Sequence, residues 1–159
     1  MFSQYVSKRE LLKSDTAARL GLTNEPTKEH WDSLYKTCKL FDIIRTHFGV
    51  PIAITGGYRS KELNAAIPGS SLTSQHCKGE ALDIDADVYG KITNSDIFYY
   101  VKEILDFDQL IWEYGDDMEP AWVHISLNPV SSKNRNQVLT CYHDKNGDVK
   151  YKTWHYLGS

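Results

Sequence analysis

A chain of 159 residues, 41% hydrophobic and 25% charged, is long enough to bury a core and too apolar to stay disordered. Its net charge of −3, with the basic residues scattered, gives no electrostatic case for nucleic acid as the main partner. Three cysteines, Cys38, Cys77 and Cys141, without a C-x-x-C pair, read as free thiols and argue against a cysteine-based zinc site.

In chain order, Ser7-Lys8-Arg9-Glu10 has the pattern of a capping box and predicts a short helix. Ser14 or Asp15 caps a second helix over 16–20, which Gly21 stops. Thr27 opens the longest helix, to about His47, with Trp31, Leu34, Tyr35, Cys38 and Phe41 on one face. Gly49 and Pro51 end it. Residues 52–55 predict a buried strand, 61–66 a helical turn or two, and 68–71 a loop. A strand follows over 81–85 despite its two carboxylates, and then a helix capped by Asn94 or Ser95 and running to about Leu105. Strands over 109–114 and 122–127 flank G-D-D-M-E-P as a hairpin, and strands over 138–143 and 149–154 flank Asn146-Gly147 as another. The sum is an α+β fold, N-terminal helices packed on a mostly antiparallel sheet, expected to be one domain over 1–159. No stretch approaches a membrane span, so membrane insertion is not expected, and the N-terminus lacks the apolar region of a signal peptide. The expectation is synthesis in the cytoplasm, a monomer, and delivery by another component if the substrate lies outside.

Three polar residues interrupt this pattern. Asp83 lies between Leu82 and Ile84, where an unpaired carboxylate carries a heavy desolvation penalty, so a cation must meet it. That cation is either an Arg or Lys, or a metal shared with His76. Alternation puts Asp85 on the same face, as a competing ligand or a supporting carboxylate. His124 lies between Val123 and Ile125, with Trp122 and Ser126 on its face. Two imidazoles and one carboxylate suit zinc better than magnesium or calcium, and three protein ligands leave a position open, as in a catalytic site. A metal there would bring the pKa of its water to ~7. Such chemistry needs a general base, for which Glu113 and Glu119 are close in sequence. Arg59 could grip a substrate carboxylate, steady an oxyanion, or simply pair with an acid of the fold. His30 and His47 on the long helix, and His143 and His155 near a turn and the tail, are poorer candidates. Cys77 is expected to point away from the adjacent His76.

Together these residues resemble the zinc D-alanyl-D-alanine carboxypeptidase family, in the superfamily of vancomycin-resistance dipeptidases, phage endolysin peptidases and the hedgehog signalling domain. The family signature S-x-H-x-x-G-x-A-x-D-I stands here from Ser74 to Ile84, with His76 and Asp83 inside it. W-x-H-x-S stands from Trp122 to Ser126, and G-Y-R-S…L-N as Gly57 to Ser60 with Leu63-Asn64. The stretch S-D-T-A-A-R-L-G-L-T-N is similar to small phage and prophage members, so the resemblance covers roughly residues 1–140. It implies a hedgehog/D-Ala-D-Ala-peptidase-like fold, His76, Asp83 and His124 as Zn2+ ligands, and Arg59 as a substrate-binding residue. Tyr58 and Ser74 stand inside the same elements and are substrate-binding candidates beside it. Many members carry an acid three residues before the last histidine, and here that position is Ala121. The hedgehog-like variant has its acid after F-D-x-x-x-x, which Phe107-Asp108 and Glu113 fit. Glu113 is therefore the preferred base and Glu119 the reserve. The implied function is hydrolysis of peptide bonds in peptidoglycan stem peptides, endolysin-like or D,D-/L,D-carboxypeptidase-like, after release by a holin-type route. A non-catalytic zinc-containing binding or phage structural module is the alternative that Ala121 motivates. A metal-free interaction domain, with Asp83 in a salt bridge, is a third.

Overall fold

The computed structural model describes residues 1–156. Three capped helices come first: α1 (Lys8–Leu12), α2 (Asp15–Leu20) and α3 (Lys28–Phe48). Ser7 and Glu10 form the reciprocal capping box, Ser14 accepts from the Ala17 N–H, and Thr27 caps α3. The buried stripe of α3 is Leu34, Cys38, Phe41 and Ile44, joined by Thr37 and Leu40. Tyr35, expected on that stripe, is exposed and meets Phe2 edge-on at the rim, because the helix turns its face one step toward Thr37 and Phe41.

The remaining elements are β1 (Ala53–Gly56), α4 (Lys61–Ala66), β2 (Ala81–Asp85), α5 (Asn94–Ile104), β3 (Gln109–Glu113), β4 (Trp122–Ser126), β5 (Gln137–His143) and β6 (Val149–Thr153). They build one six-stranded sheet in the order β1-β2-β4-β3-β5-β6. All neighbours are antiparallel except β3 and β5, which run parallel. Sequence pattern alone carries no signal for that pair, since the crossing chain is not a helix but the β4 hairpin and a loop. The segment at 52–55, expected as a buried strand, is the half-buried edge strand β1, hydrogen-bonded on one side only. Helix α5 is capped by Thr93 rather than Asn94 or Ser95. Thr93 and Asp96 satisfy each other's backbone N–H, which frees the Asn94 side chain for other partners.

Strand alternation sorts the sheet into two faces. Leu82, Ile84, Leu110, Trp112, Val123 and Ile125 point to the helices and join Leu34, Phe41, Ile97, Phe98 and Val101 in the core. Asp83, Ile111, Glu113, His124 and Leu139 point the other way and line a cleft. Among the described residues no helix is long and apolar enough to cross a membrane.

Candidate metal centre

Asp83 on β2 and His124 on β4 are directly opposite each other in the register, so their side chains rise side by side from the cleft face. His124 Nδ1 lies 3.0 Å from Asp83 Oδ1. The third donor comes from a 3-10 turn, Gln75–Lys78. Ser74 caps that turn by accepting the His76 N–H, and Gly79, at φ +74°, closes it in the left-handed region that a glycine occupies without strain. His76 is buried, and its Nε2 lies 3.3 Å from Asp83 Oδ2. One donor atom from each of His76, Asp83 and His124 can be chosen so that all lie within 4.8 Å of one another.

The donor chemistry fits a metal. His76 Nδ1 is 2.8 Å from the Gly57 carbonyl, an acceptor, so Nδ1 carries the proton and Nε2 presents its lone pair. Nε2 is near Asp83 but lacks hydrogen-bond alignment to it and has no other partner, which is how two ligands of a common ion stand to each other. Ligands at ~2.0 Å around a tetrahedral zinc are roughly 3.3 Å apart, close to the 3.0 and 3.3 Å separations found here. No lysine or arginine pairs with Asp83 among the described residues; the groups beside its carboxylate are the two imidazoles. Room for its carboxylate comes from Gly56 at a bulge in β1. A Cβ there would lie 2.6 Å from Asp83 Oδ2.

Electrostatics separates the acids on this face. Burial disfavours the ionised Asp83, yet the adjacent His76 and His124 outweigh it and hold the carboxyl far below the usual range. Burial lowers the pKa of His76, and the Asp83 charge only partly opposes this, so the ring favours the neutral form a ligand needs. Glu113 goes the other way. Burial pushes its carboxyl up to about 6, with partial relief from His124. Because Ile111 is opposite His124 and Glu113 opposite Trp122, Glu113 is one diagonal step from His124 on the same face. Directly beside it on β5 is Cys141, buried, its thiol pushed up to about 12 mainly by burial.

Arg59 lines the cleft. Its backbone N–H donates to the His76 carbonyl and its Nη1 to Ser70 Oγ, while Nε is buried without a partner. No carboxylate pairs with it among the described residues. Ser74 lines the cleft too, its hydroxyl engaged in the cap of His76.

Three expected participants are placed elsewhere. Tyr58 is buried in the core with its ring against His30, 5.2 Å between centroids, because its backbone is tied to Leu11 and Asn24 on the helical side. Glu119 accepts from the Ser95 N–H at 3.0 Å and from Ser95 Oγ at 2.6 Å, where the positive end of α5 favours an anion. Asp85 is on the expected face but is taken by Asn94 Nδ2 at 3.0 Å and the Asp87 N–H at 2.9 Å. Three of the other four histidines are also occupied. His30 accepts in the α3 cap, and His47 and His143 stack on Tyr100 and Tyr114.

The structure gives site roles to residues that the sequence pattern does not mark for them: Gly56, the Gly57 carbonyl, Cys141, and a chain of Gln75, Asp108 and Arg135 beneath the 3-10 turn. Asp108 carried a usable signal, an acid immediately before an apolar strand. Gly56 carried none, since its role depends on which strand lies beside it. The cleft has a volume of about 1080 Å³. The loop over 67–74 bounds it and reaches β6, where Gly69 rests against Val149.

Two imidazoles and a carboxylate converging on the open face of a helix-backed sheet, with a buried acid one diagonal step away, form a layout suited to metal-assisted hydrolysis. The family model for Peptidase M15 matches residues 4–126, and the chain belongs to that peptidase family. No curated protein matches the chain. His76, Asp83, Glu113, His124 and Arg59 all fall inside the matched residues, while β5 and β6 lie beyond them.

Proposed function

We propose that this chain is a single-domain, monomeric zinc peptidase that hydrolyses peptide bonds in bacterial cell-wall stem peptides, phage or prophage in origin and released to the wall by a holin-type route. The observation that carries the reading is the convergence of His76, Asp83 and His124, with a buried Nε2 that has no hydrogen-bond partner. These three residues would hold the zinc, with His76 oriented by the Gly57 carbonyl. When bound, zinc supplies an acidified water and polarises the scissile carbonyl.

The remaining work falls to the protein. Glu113 accepts the proton of the attacking water and returns it to the leaving amine, and a carboxyl whose pKa is near 6 is matched to both tasks near neutral pH. Arg59, unpaired at the cleft wall, holds a substrate carboxylate or supports the developing oxyanion. The core-facing residues behind β2 and β4 keep the donors rigid.

Dialysis against a chelator followed by incubation with purified peptidoglycan tests this. Fragment release should stop and return with added zinc, and release that persists without metal rejects the reading. Ala121, where many relatives of this type carry an acid, favours a second reading, a zinc-containing module that binds wall fragments or a virion partner without turnover. Mass spectrometry of digested peptidoglycan separates the two, since only the peptidase changes fragment masses.

A further inference from the structure

The two ends of the cleft differ. Past Glu113 it is walled by the rings of Tyr114, Trp122 and Tyr151. At the opposite end, where β3 and β5 begin, it is lined by Lys78, Lys133 and Arg135. The acids of that end are already engaged. Buried Asp108 accepts from Arg135 Nε at 2.9 Å, Arg135 Nη2 at 2.7 Å, the Arg135 N–H at 3.0 Å and Gln75 Nε2 at 2.9 Å. Glu80 accepts from the same Gln75 amide at 3.1 Å. Lys78 and Lys133 form no ion pair among the described residues. Arg135 spends Nε and Nη2 on Asp108, which fixes the guanidinium and leaves Nη1 for another acceptor. The result is a mouth with three cations, Lys78, Lys133 and Arg135, against two carboxylates, Asp108 and Glu80, in which the guanidinium is fixed and both ammonium groups are free of ion pairs, in a protein whose net charge is −3. Lys133 and Arg135 lie beyond residue 126, outside the stretch matched by the family model.

We propose that this mouth is a subsite for a carboxylate carried by a residue flanking the scissile bond, with Lys78, Lys133 and Arg135 as its specificity determinants. Ammonium groups at a cleft mouth attract and orient an anionic side chain, and the preset Arg135 fork adds direction to that attraction. That this carboxylate belongs to a cleaved peptide rests on the peptidase reading, but its binding does not.

The test uses synthetic pentapeptides in which one glutamate is walked along the chain, each paired with its glutamine counterpart. Binding is measured by calorimetry on the zinc-loaded Glu113→Gln protein, which separates affinity from turnover. At one position glutamate should bind about tenfold tighter than glutamine, a preference that shrinks as salt rises. In Lys133→Gln and Lys78→Gln, and more so in Lys133→Glu, the two affinities should converge. These exposed lysines can be replaced without disturbing Asp108, unlike Arg135. Equal affinity at every position, or a preference untouched by the lysine substitutions, overturns the subsite. A glutamate preference in a protein that never cleaves peptidoglycan keeps the subsite and removes the peptidase reading. Cleavage without any glutamate preference does the reverse.

Discussion

The two faces of the sheet are built from the same strands and carry opposite chemistry. On β2 and β4, Leu82, Ile84, Val123 and Ile125 are fully buried against the helices, while Asp83 and His124, one residue away, project into the cleft. One face is apolar and close-packed, and its energy is burial. The other holds a carboxylate between two imidazoles and a glutamate whose ionisation is opposed by its surroundings. A step of one residue along a strand thus separates stability from chemistry. Substitutions should divide accordingly: changes on the helical face lower stability and leave metal affinity alone, and changes on the cleft face do the opposite.

The largest effects should come from the ligands. Asp83→Asn should abolish stoichiometric zinc and lower peptide hydrolysis by ~10³-fold or more, since the metal supplies several kcal/mol of the catalysis. Its thermal unfolding should stay cooperative. On the opposite face, Phe98→Ala should cost about 3–5 kcal/mol by denaturant titration while the folded fraction still binds zinc, because Phe98 is fully buried in the helical layer. If the two variants exchanged phenotypes, the division between faces would be wrong.

Glu113→Gln sharpens the contrast, since it should lose activity and gain stability. Turnover should drop by ~10²-fold with zinc retained. The stability effect has a definite sign. Glu113 is raised from 4.5 to about 6 in the folded protein, so folding favours its protonated form. That contribution is fully present below pH 4.5 and is lost as pH rises through about 6. At pH 8 the metal-free Gln variant should therefore be more stable than the parent by about 2 kcal/mol, and at pH 4 the two should coincide. Urea titrations at both pH values read this directly, and a Gln variant less stable at pH 8 would mean that the carboxylate is held by favourable contacts.

The smallest effect should come from Gly56. Gly56→Ala places a methyl against Asp83 Oδ2 and should displace the carboxylate, weakening zinc binding by about 10–100-fold as loss of ligand support generally does. Competition with a chromogenic chelator measures it. An unchanged affinity would show that the bulge yields freely.

How much of this could be read in advance follows from what each residue's role depends on. Asp83 and His124 stand out because polar groups inside apolar strands need a partner, whereas His76, on a turn, stands out only because its spacing from Asp83 matches a known signature. Glu113 was legible from the hairpin and from Phe107-Asp108, though its position one diagonal step from His124 depends on a register that spacing leaves open. Glu119 and Asp85 look equally available in the sequence. What removes them is a third element, the N-terminus of α5, whose Ser95 and Asn94 claim both carboxylates. Tyr58, next to Arg59, looks like a cleft residue until α1 and the loop after α2 fix its backbone toward the core. The parallel pairing of β3 with β5 was invisible for the same reason: periodicity reports a strand's faces, never its neighbour.

The most direct measurement is zinc K-edge absorption on the purified protein, with Asp83→Asn as control. A single zinc coordinated by imidazole nitrogens at ~2.0–2.1 Å and carboxylate oxygen is expected, with no sulfur, and no bound zinc in the control. A sulfur shell at ~2.3 Å, or zinc that survives in the control, would contradict it.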